Sequence, residues 1–405
     1  MIDGITIKYT ISDFEAWKQS TNISFGITVD HDTAEIKTKK REDQIVTTYR
    51  AKFETFDLTV KEVEQIATND KLFYLTIKGS LHKNYYGGKN YLPFTWEQLQ
   101  QQITHICKRL LISPSDAQIA SLEIGVNIIP LFIVSPFLMN NIISYKGNTF
   151  NRYKKDTTGF CLGIYCSLSQ YVIKIYDKGL QNDLPGNLMR FEKRFLKMQG
   201  LNKKGIKFLS DLTLKSKVEN LQSQLLIAWN DVLIFDIDNR DNYKLLKNKE
   251  SALLTKGRNS NFWERLKKEN IRQFNAQREK FRELVAKYGN NWKEAVSDLS
   301  TNEWQRLFNN CTNLPLGENK VLYDFTIKIK GKDLQQRFCR SCGNDITNQK
   351  ESSLYCSEKY VGYEAAHRCR NTNNNRKYKI EKINRRGVLF DITPYFINSK
   401  QICKN

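Results

Sequence analysis

Lys174-Ile175-Tyr176-Asp177-Lys178 sets a phenol between two ammonium groups at alternate positions. On a strand, Lys174, Tyr176 and Lys178 share one face. Two flanking cations would lower the phenol from its reference pKa of about 10. A phenolate is a competent nucleophile on phosphorus and would keep the cleaved bond as a phosphotyrosyl link. The competing account is ordinary packing, since Tyr176 is one of 19 tyrosines.

Two acidic positions have strand spacing that isolates them on a polar face. In 121–128, Leu122, Ile124, Val126 and Ile128 face one way, and Ser121, Glu123, Gly125 and Asn127 the other. In 189–194, Arg190, Glu192 and Arg194 share a face. Strands of one sheet would bring Glu123 and Glu192 together as the carboxylate pair that Mg²⁺ or Mn²⁺ requires, for Lewis-acid work on a phosphodiester oxygen. Salt bridges to the many basic residues account for the same glutamates equally well. His82, at the end of a strand that runs into the Gly- and Tyr-rich loop 85–91, offers an imidazole ligand or an ordinary hydrogen-bonding side chain. The loop lacks the spacing of a nucleotide-triphosphate site.

The third group is Cys339-Arg340-Ser341-Cys342, followed by Cys356 and Cys369. Four thiolates at this spacing would make a closed tetrahedral Zn²⁺ site, structural because no position is left for substrate; a set of unmetallated thiols is the competing account. His367 stands close enough to replace Cys356 or Cys369. Such a module either grips nucleic acid or staples its own fold.

The secondary structure that carries these groups is legible in outline. Residues 5–10, 47–58, 72–83, 121–129, 161–167, 171–178 and 188–195 have strand composition or alternation. Thr59 and Glu62 form a capping-box pattern and predict a short helix there; Thr95 and Gln98 form another. The second opens a helix with the stripe Leu99, Ile103, Ile106, Leu110. The β–helix–β rhythm, repeated about twice, predicts an α+β sheet domain over 1–212 with helices on one face. Residues 213–330 read as helical, with 216–232 one helix and 259–288 one long helix or two. Residues 331–405 form the zinc module and a basic tail.

Sixty-four Lys and Arg against 43 Asp and Glu leave a formal charge of +21, which favours a polyanionic partner, and phosphate backbones are the usual one. Tyrosine, phenylalanine and tryptophan rings give unstacked bases faces to lie on. Lys174, Arg190 and Arg194 on the sheet, and Arg258 and Arg265 in the helical region, are the expected DNA contacts. No apolar run reaches the ~20 residues of a membrane helix, and the N-terminus lacks the layout of a signal peptide, so a cytoplasmic protein without membrane partners is expected.

Taken in order, GSLHKNYYGGKNY, LEIGVNI, KIYDKG and LMRFEKRF resemble the replication initiators of the filamentous-phage gene II/X class and the trans-acting Rep proteins of rolling-circle plasmids. The segment CRSCG…YCSEKYVG…HRCRN resembles their zinc-binding tail. The resemblance spans most of the chain and is weakest over 213–255. It implies an HUH-related, Rep-like fold with an antiparallel sheet, often built from two related halves, and metal-dependent nicking of one strand at an origin. The nucleophilic tyrosine stays on the 5′ end while the 3′ end primes synthesis by host polymerase, with a host helicase as a further partner. Carried over by position, Tyr176 is the nucleophile, Lys178 its basic companion, Glu123 and Glu192 the acidic positions, and His82 a residue near the metal. The chain departs from the HUH pattern in having no His-hydrophobic-His pair: its histidines are His31, His82, His105 and His367. Tyr153, Tyr165 and Tyr171 are alternative nucleophiles. A conjugative relaxase shares the same chemistry, and a non-enzymatic zinc-containing DNA-binding regulator shares the basic surface.

Overall fold

The computed structural model describes residues 1–27, 38–40, 43–154, 161–184, 187–237, 246–310, 325–329, 332–336, 339, 349, 353–364 and 366–371. Its centre is an eleven-stranded antiparallel sheet. The first seven strands in chain order are β1 (Ile2–Ile11), β2 (Gly26–Ile27), β3 (Lys39–Lys40), β4 (Gln44–Phe53), β5 (Phe56–Gln65), β6 (Lys71–Ser80) and β7 (Gln118–Ile128). After β8 (Ile142–Tyr145) and β9 (Asn148–Thr149) come β10 (Asn151–Lys154), β11 (Cys161–Ser167), β12 (Tyr171–Asp177) and β13 (Met189–Phe195). The order across the sheet is β10-β11-β12-β13-β7-β1-β6-β5-β4-β2, with β3 also on β4. Strands β8 and β9 pair instead with β14 (Val232–Ile234) in a separate small sheet.

Outward from the central β7–β1 pair the two wings repeat one connectivity. β1 is followed outward by β6, β5, β4 and β2, and β7 by β13, β12, β11 and β10. Each inner strand leads into a helix, Phe14–Thr21 or Val134–Asn140, and each wing is followed by a longer one, Trp96–Leu110 or Lys215–Asn230. The two related halves that the resemblance implies have a counterpart in this repeated connectivity.

Alternation decides which face is covered. Ile5, Ile7, Leu58, Val60, Leu75, Ile77, Leu122, Ile124, Ile173, Ile175 and Phe191 are almost wholly buried and join one core. Leu99, Ile103, Ile106 and Leu110 pack into that core as their helical spacing predicts, and the capping box at Thr95 forms with Gln98. The box expected at Thr59 does not. Phe56, Leu58 and Val60 are buried at a period of two and β5 is paired on both sides, so alternate burial wins over a four-residue capping pattern. The run 47–58 likewise splits into a hairpin, with Glu54 at a φ of 53° in the turn.

The helices Lys215–Asn230 and Trp292–Phe308 also belong to this first core through Leu221, Leu225, Trp229, Val296 and Trp304. A second core gathers Phe235, Leu254, Trp263, Phe274, Phe281 and Leu284 around three helices, Asn248–Gly257, Ser260–Glu269 and Ile271–Tyr288. The helical run 259–288 breaks at Asn270, whose extended backbone ends one helix while its side chain accepts from Gln273 N and caps the next. Farther on, Phe325–Ile329 and Lys332–Gln336 form an antiparallel pair. Among the described residues no helix is long and apolar enough to cross a membrane.

Candidate active site

The face of the sheet away from the helices carries a polar cluster at the junction of the wings. Register sets Lys174 opposite Glu192 and Tyr176 opposite Arg190. It also sets Glu192 opposite Gly125 and Arg190 opposite Asn127. A Cβ on Gly125 would lie 2.7 Å from Phe191 O and 2.8 Å from Glu192 Cγ, so only glycine leaves Glu192 its place. Gly163, opposite Tyr176, similarly makes room for the Tyr153 ring.

Asp3 joins the cluster through a bulge. Simple alternation would put Asp3 on the core side with Ile5 and Ile7. The β1–β7 register instead pairs Ile2 with Ile124 and Ile5 with Leu122, inserting one extra residue in β1. Ile2 therefore shares the core face with Ile124, and Asp3 turns to the polar face. Ser80 Oγ donates to its Oδ1, Asn90 Nδ2 reaches Oδ2 at 3.0 Å, and the Arg190 guanidinium reaches Oδ2 at 2.9 Å. One carboxylate oxygen from each of Asp3, Glu123 and Glu192 lies within 4.8 Å of the other two.

Two cations partly neutralise this trio. Lys174 Nζ donates to Glu123 at 2.7 Å and to Glu192 at 3.3 Å, and Arg190 Nε donates to Glu192. Arg190 is 2% exposed, so the expected DNA contact is instead a buried countercharge. Burial by itself would raise Asp3 and Glu192, but Arg190 holds both below the ordinary carboxylate range. Glu123 goes the other way, because burial and the neighbouring Glu192 charge outweigh Lys174. With Glu123 ionised, three carboxylates against two cations leave one negative charge in a largely buried oxygen-rich cluster. Burial and Glu192 push Glu123 up to about 7, so a cation there would favour its ionised form. That donor set fits a hard divalent cation such as Mg²⁺ or Mn²⁺.

Tyr176 is 6% exposed and donates from Oη to Glu192 Oε1 at 2.8 Å. Its acidity corrects the sequence expectation. Burial and the Glu192 charge hold the phenol well above its usual pKa. The lysines do not act on it as the strand reading supposed. Lys174 is engaged by the glutamates, and β12 ends at Asp177, whose side chain caps the short helix Lys178–Gln181. Lys178 Nζ donates to Asn90 Oδ1 at 2.5 Å and Gln181 Oε1 at 2.9 Å, and burial lowers it to about 7. It lies 5.5 Å from the Tyr176 ring centroid.

A cavity of ≈ 320 Å³ opens onto the cluster, lined by Tyr153, Tyr165, Val172, Lys174, Tyr176, Gln181 and Glu192. Two of the alternative tyrosines therefore share it. Tyr171 does not; its hydroxyl meets Tyr145 and Lys146, and it stands on the helix-side face with Ile173.

The other expected residues are placed as follows. His82 is 2% exposed, stacked on Phe94 at 4.9 Å, and kept neutral by burial. Asp3, not His82, completes the carboxylate group. Arg194 is half-buried opposite Glu123. Arg258 and Arg265 are exposed on the helices around the second core; Arg258 lies 4.7 Å over the Phe235 ring and Arg265 pairs with Glu269 at 3.8 Å. Cys339, Cys356 and Cys369 are buried with their sulfurs within 4.8 Å of one another. Cys342 lies outside the described residues. His367 is exposed and stacks on Tyr363, apart from the sulfurs.

No protein-family model matches the chain, and no curated protein matches it. Comparison with solved structures finds the rolling circle replication initiator protein from Geobacillus stearothermophilus, at 9% identity and a TM-score of 0.31, over 69% of this chain and 96% of that one. The functional reading rests on the site's own residues.

Proposed function

We propose that this chain is a DNA replication initiator that nicks one strand at an origin and later rejoins ends in rolling-circle replication. The observation that carries this is the Tyr176 hydroxyl, 2.8 Å from Glu192 Oε1 at the edge of the Asp3–Glu123–Glu192 cluster. A buried phenol, an adjacent carboxylate and oxygen donors for a divalent cation are what transesterification at phosphorus needs. A Mg²⁺ or Mn²⁺ ion bound there would supply Lewis acidity at a non-bridging phosphate oxygen.

Tyr176 Oη attacks phosphorus and its proton passes to Glu192 Oε1. The bond from phosphorus to the 3′ oxygen breaks, that oxygen takes a proton from solvent, and the 5′ phosphate stays on Tyr176. Reversal by a 3′ hydroxyl rejoins the strand. Lys174 and Arg190 hold the glutamates in place, and Lys178 fixes the loop through Asn90. The free 3′ end would be extended by host polymerase behind a host helicase, in the cytoplasm. Cys339, Cys356 and Cys369, with Cys342, would hold a structural Zn²⁺.

The test is supercoiled plasmid carrying the protein's own gene region, incubated with Mn²⁺ or with chelator. Metal-dependent conversion to open circle is expected, with DNA covalently trapped on the denatured protein. Tyr176→Phe should abolish both and keep binding. A variant that nicks at the wild-type rate would show that another cavity tyrosine, Tyr153 or Tyr165, is the nucleophile. Binding without nicking on origin DNA would favour a zinc-containing regulator, and a relaxase would be separated from an initiator by the DNA it cuts.

A further inference from the structure

The polar face continues past the site into the β1 wing. Ser121 Oγ donates to Thr6 Oγ1 at 2.8 Å, so Thr6 shares the face on which Glu123 stands two residues along β7. Register then extends that face strand by strand. Thr6 lies opposite Lys78, Lys78 opposite Asp57 and Asp57 opposite Lys52. Lys8 lies opposite Thr76, Thr76 opposite Thr59 and Thr59 opposite Arg50. Thr10 lies opposite Tyr74, and Tyr74 opposite Lys61. The residues between these positions, such as Ile7, Leu58 and Ile77, are in the core, so the grid points away from the helices.

Two features set this face apart from an ordinary solvated sheet. Lys8, Arg50, Lys52, Lys61 and Lys78 are all exposed, with Asp57 the exposed acid among them. Tyr74, paired on both sides within β6, is also 43% exposed, and Leu72 near the start of that strand is 44% exposed. Cations at alternate positions around an open aromatic ring are the elements of a single-strand platform, in which phosphates take the charges and an unstacked base takes the ring. A duplex offers no free base to Tyr74.

We propose that this face is a track for single-stranded DNA, with phosphates on Lys8, Arg50, Lys52, Lys61 and Lys78 and a base on Tyr74. The inference rests on the nicking reading for the identity of the strand, which is the one that reaches Tyr176.

The test uses the full chain in chelator, so that no cutting intervenes, and fluorescence anisotropy with labelled oligo-dT. A length of about 20 nucleotides exceeds the roughly 4–16 nucleotides of a comparable single-strand site. The combined variant K8Q/K52Q/K61Q/K78Q changes exposed residues only, and an unchanged thermal unfolding midpoint checks that it folds. It should bind more than tenfold more weakly. The slope of log affinity against log salt should flatten by roughly 0.7 for each phosphate left without its lysine, about 2.8 in all. Tyr74→Ala should weaken binding roughly tenfold, and Tyr74→Phe should restore it. Oligo-dT binding equal to wild type in the combined variant overturns the track. So does weakening seen with duplex and not with oligo-dT. Nicking of supercoiled plasmid with Mn²⁺, run in parallel on the wild type, reports on the nicking reading independently of either result.

Discussion

Gly125 and Asp3 show how narrowly the cluster is specified. A methyl group on Gly125 meets Phe191 O and Glu192 Cγ below 3 Å, and the backbone oxygen cannot yield. Gly125→Ala should displace Glu192 and with it the acceptor for Tyr176. Nicking should fall by about 10²-fold or more, while stability drops by about 1–3 kcal/mol; plasmid nicking beside thermal unfolding checks both. Asp3 carries a different signature. Its carboxyl titrates below its unfolded pKa of about 3.9, held there against burial by Arg190. Its stabilisation is complete above that unfolded pKa and is lost as pH falls through the folded value. Asp3→Asn should therefore lose about 3 kcal/mol at neutral pH, since Arg190 keeps Glu192 as a charged partner and Asn127 as a neutral one but loses a buried countercharge. It should also show a flatter loss of stability below about pH 4; urea midpoints at several pH values read both. An acid limb as steep as wild type would mean other carboxylates carry the dependence. Glu123, Glu192 and Tyr176 could be read from alternation because a strand's period of two survives in its side-chain pattern. Asp3 could not, because a bulge is a property of two strands together. The acidity of Tyr176 was misread for a related reason, since neighbours along the chain counted for less than burial and a glutamate on the next strand.

Among the elements, the helix opening at Thr95 was legible because its cap and its stripe agree. The one expected at Thr59 failed because two paired neighbours imposed the sheet on β5. The helical break at Asn270 was open in the sequence, and one side chain serving as stop and cap decides it. The cysteine cluster is an element of another kind, with three buried sulfurs close together and little apolar packing around them. Cys356 N already donates to Cys339 Sγ at 3.3 Å, so the sulfur sits against the chain that brings its partners. One Zn²⁺ per chain should be released by a thiol-reactive mercurial and seen with a chromogenic chelator. Cys356→Ser should lower that stoichiometry while the large sheet keeps its unfolding transition. Full zinc content in the variant would show that Cys356 is dispensable as a ligand.

The whole molecule carries its charge unevenly: buried cations serve the fold, and exposed ones face outward. Lys178 and Lys293 are lowered to about 7 and Lys193 to about 8, in each case by burial first and then by neighbouring cations. The unfolded chain holds these protons up to about pH 10.4. Between those values the unfolded state binds more protons, so stability rises with pH. The urea midpoint should increase from pH 7 to about 8.5, the reference pKa of a thiol. It should then flatten, because the thiols of Cys107 and Cys166, raised to about 11 by burial, pull the other way. A midpoint that falls across the lower window would show that these lysines keep their protons in the folded state. The continuity of the sheet has a consequence for direction. Six strand-to-strand steps separate β12, which carries Tyr176, from β4, which carries Arg50. At about 4.8 Å per step that is roughly 29 Å, and at roughly 20–25° of twist per step the face turns through something over 120° on the way. A polymer following it would be wound about the molecule like thread on a bobbin. It would leave on a heading far from its entry, with its outgoing length kept clear of the severed end.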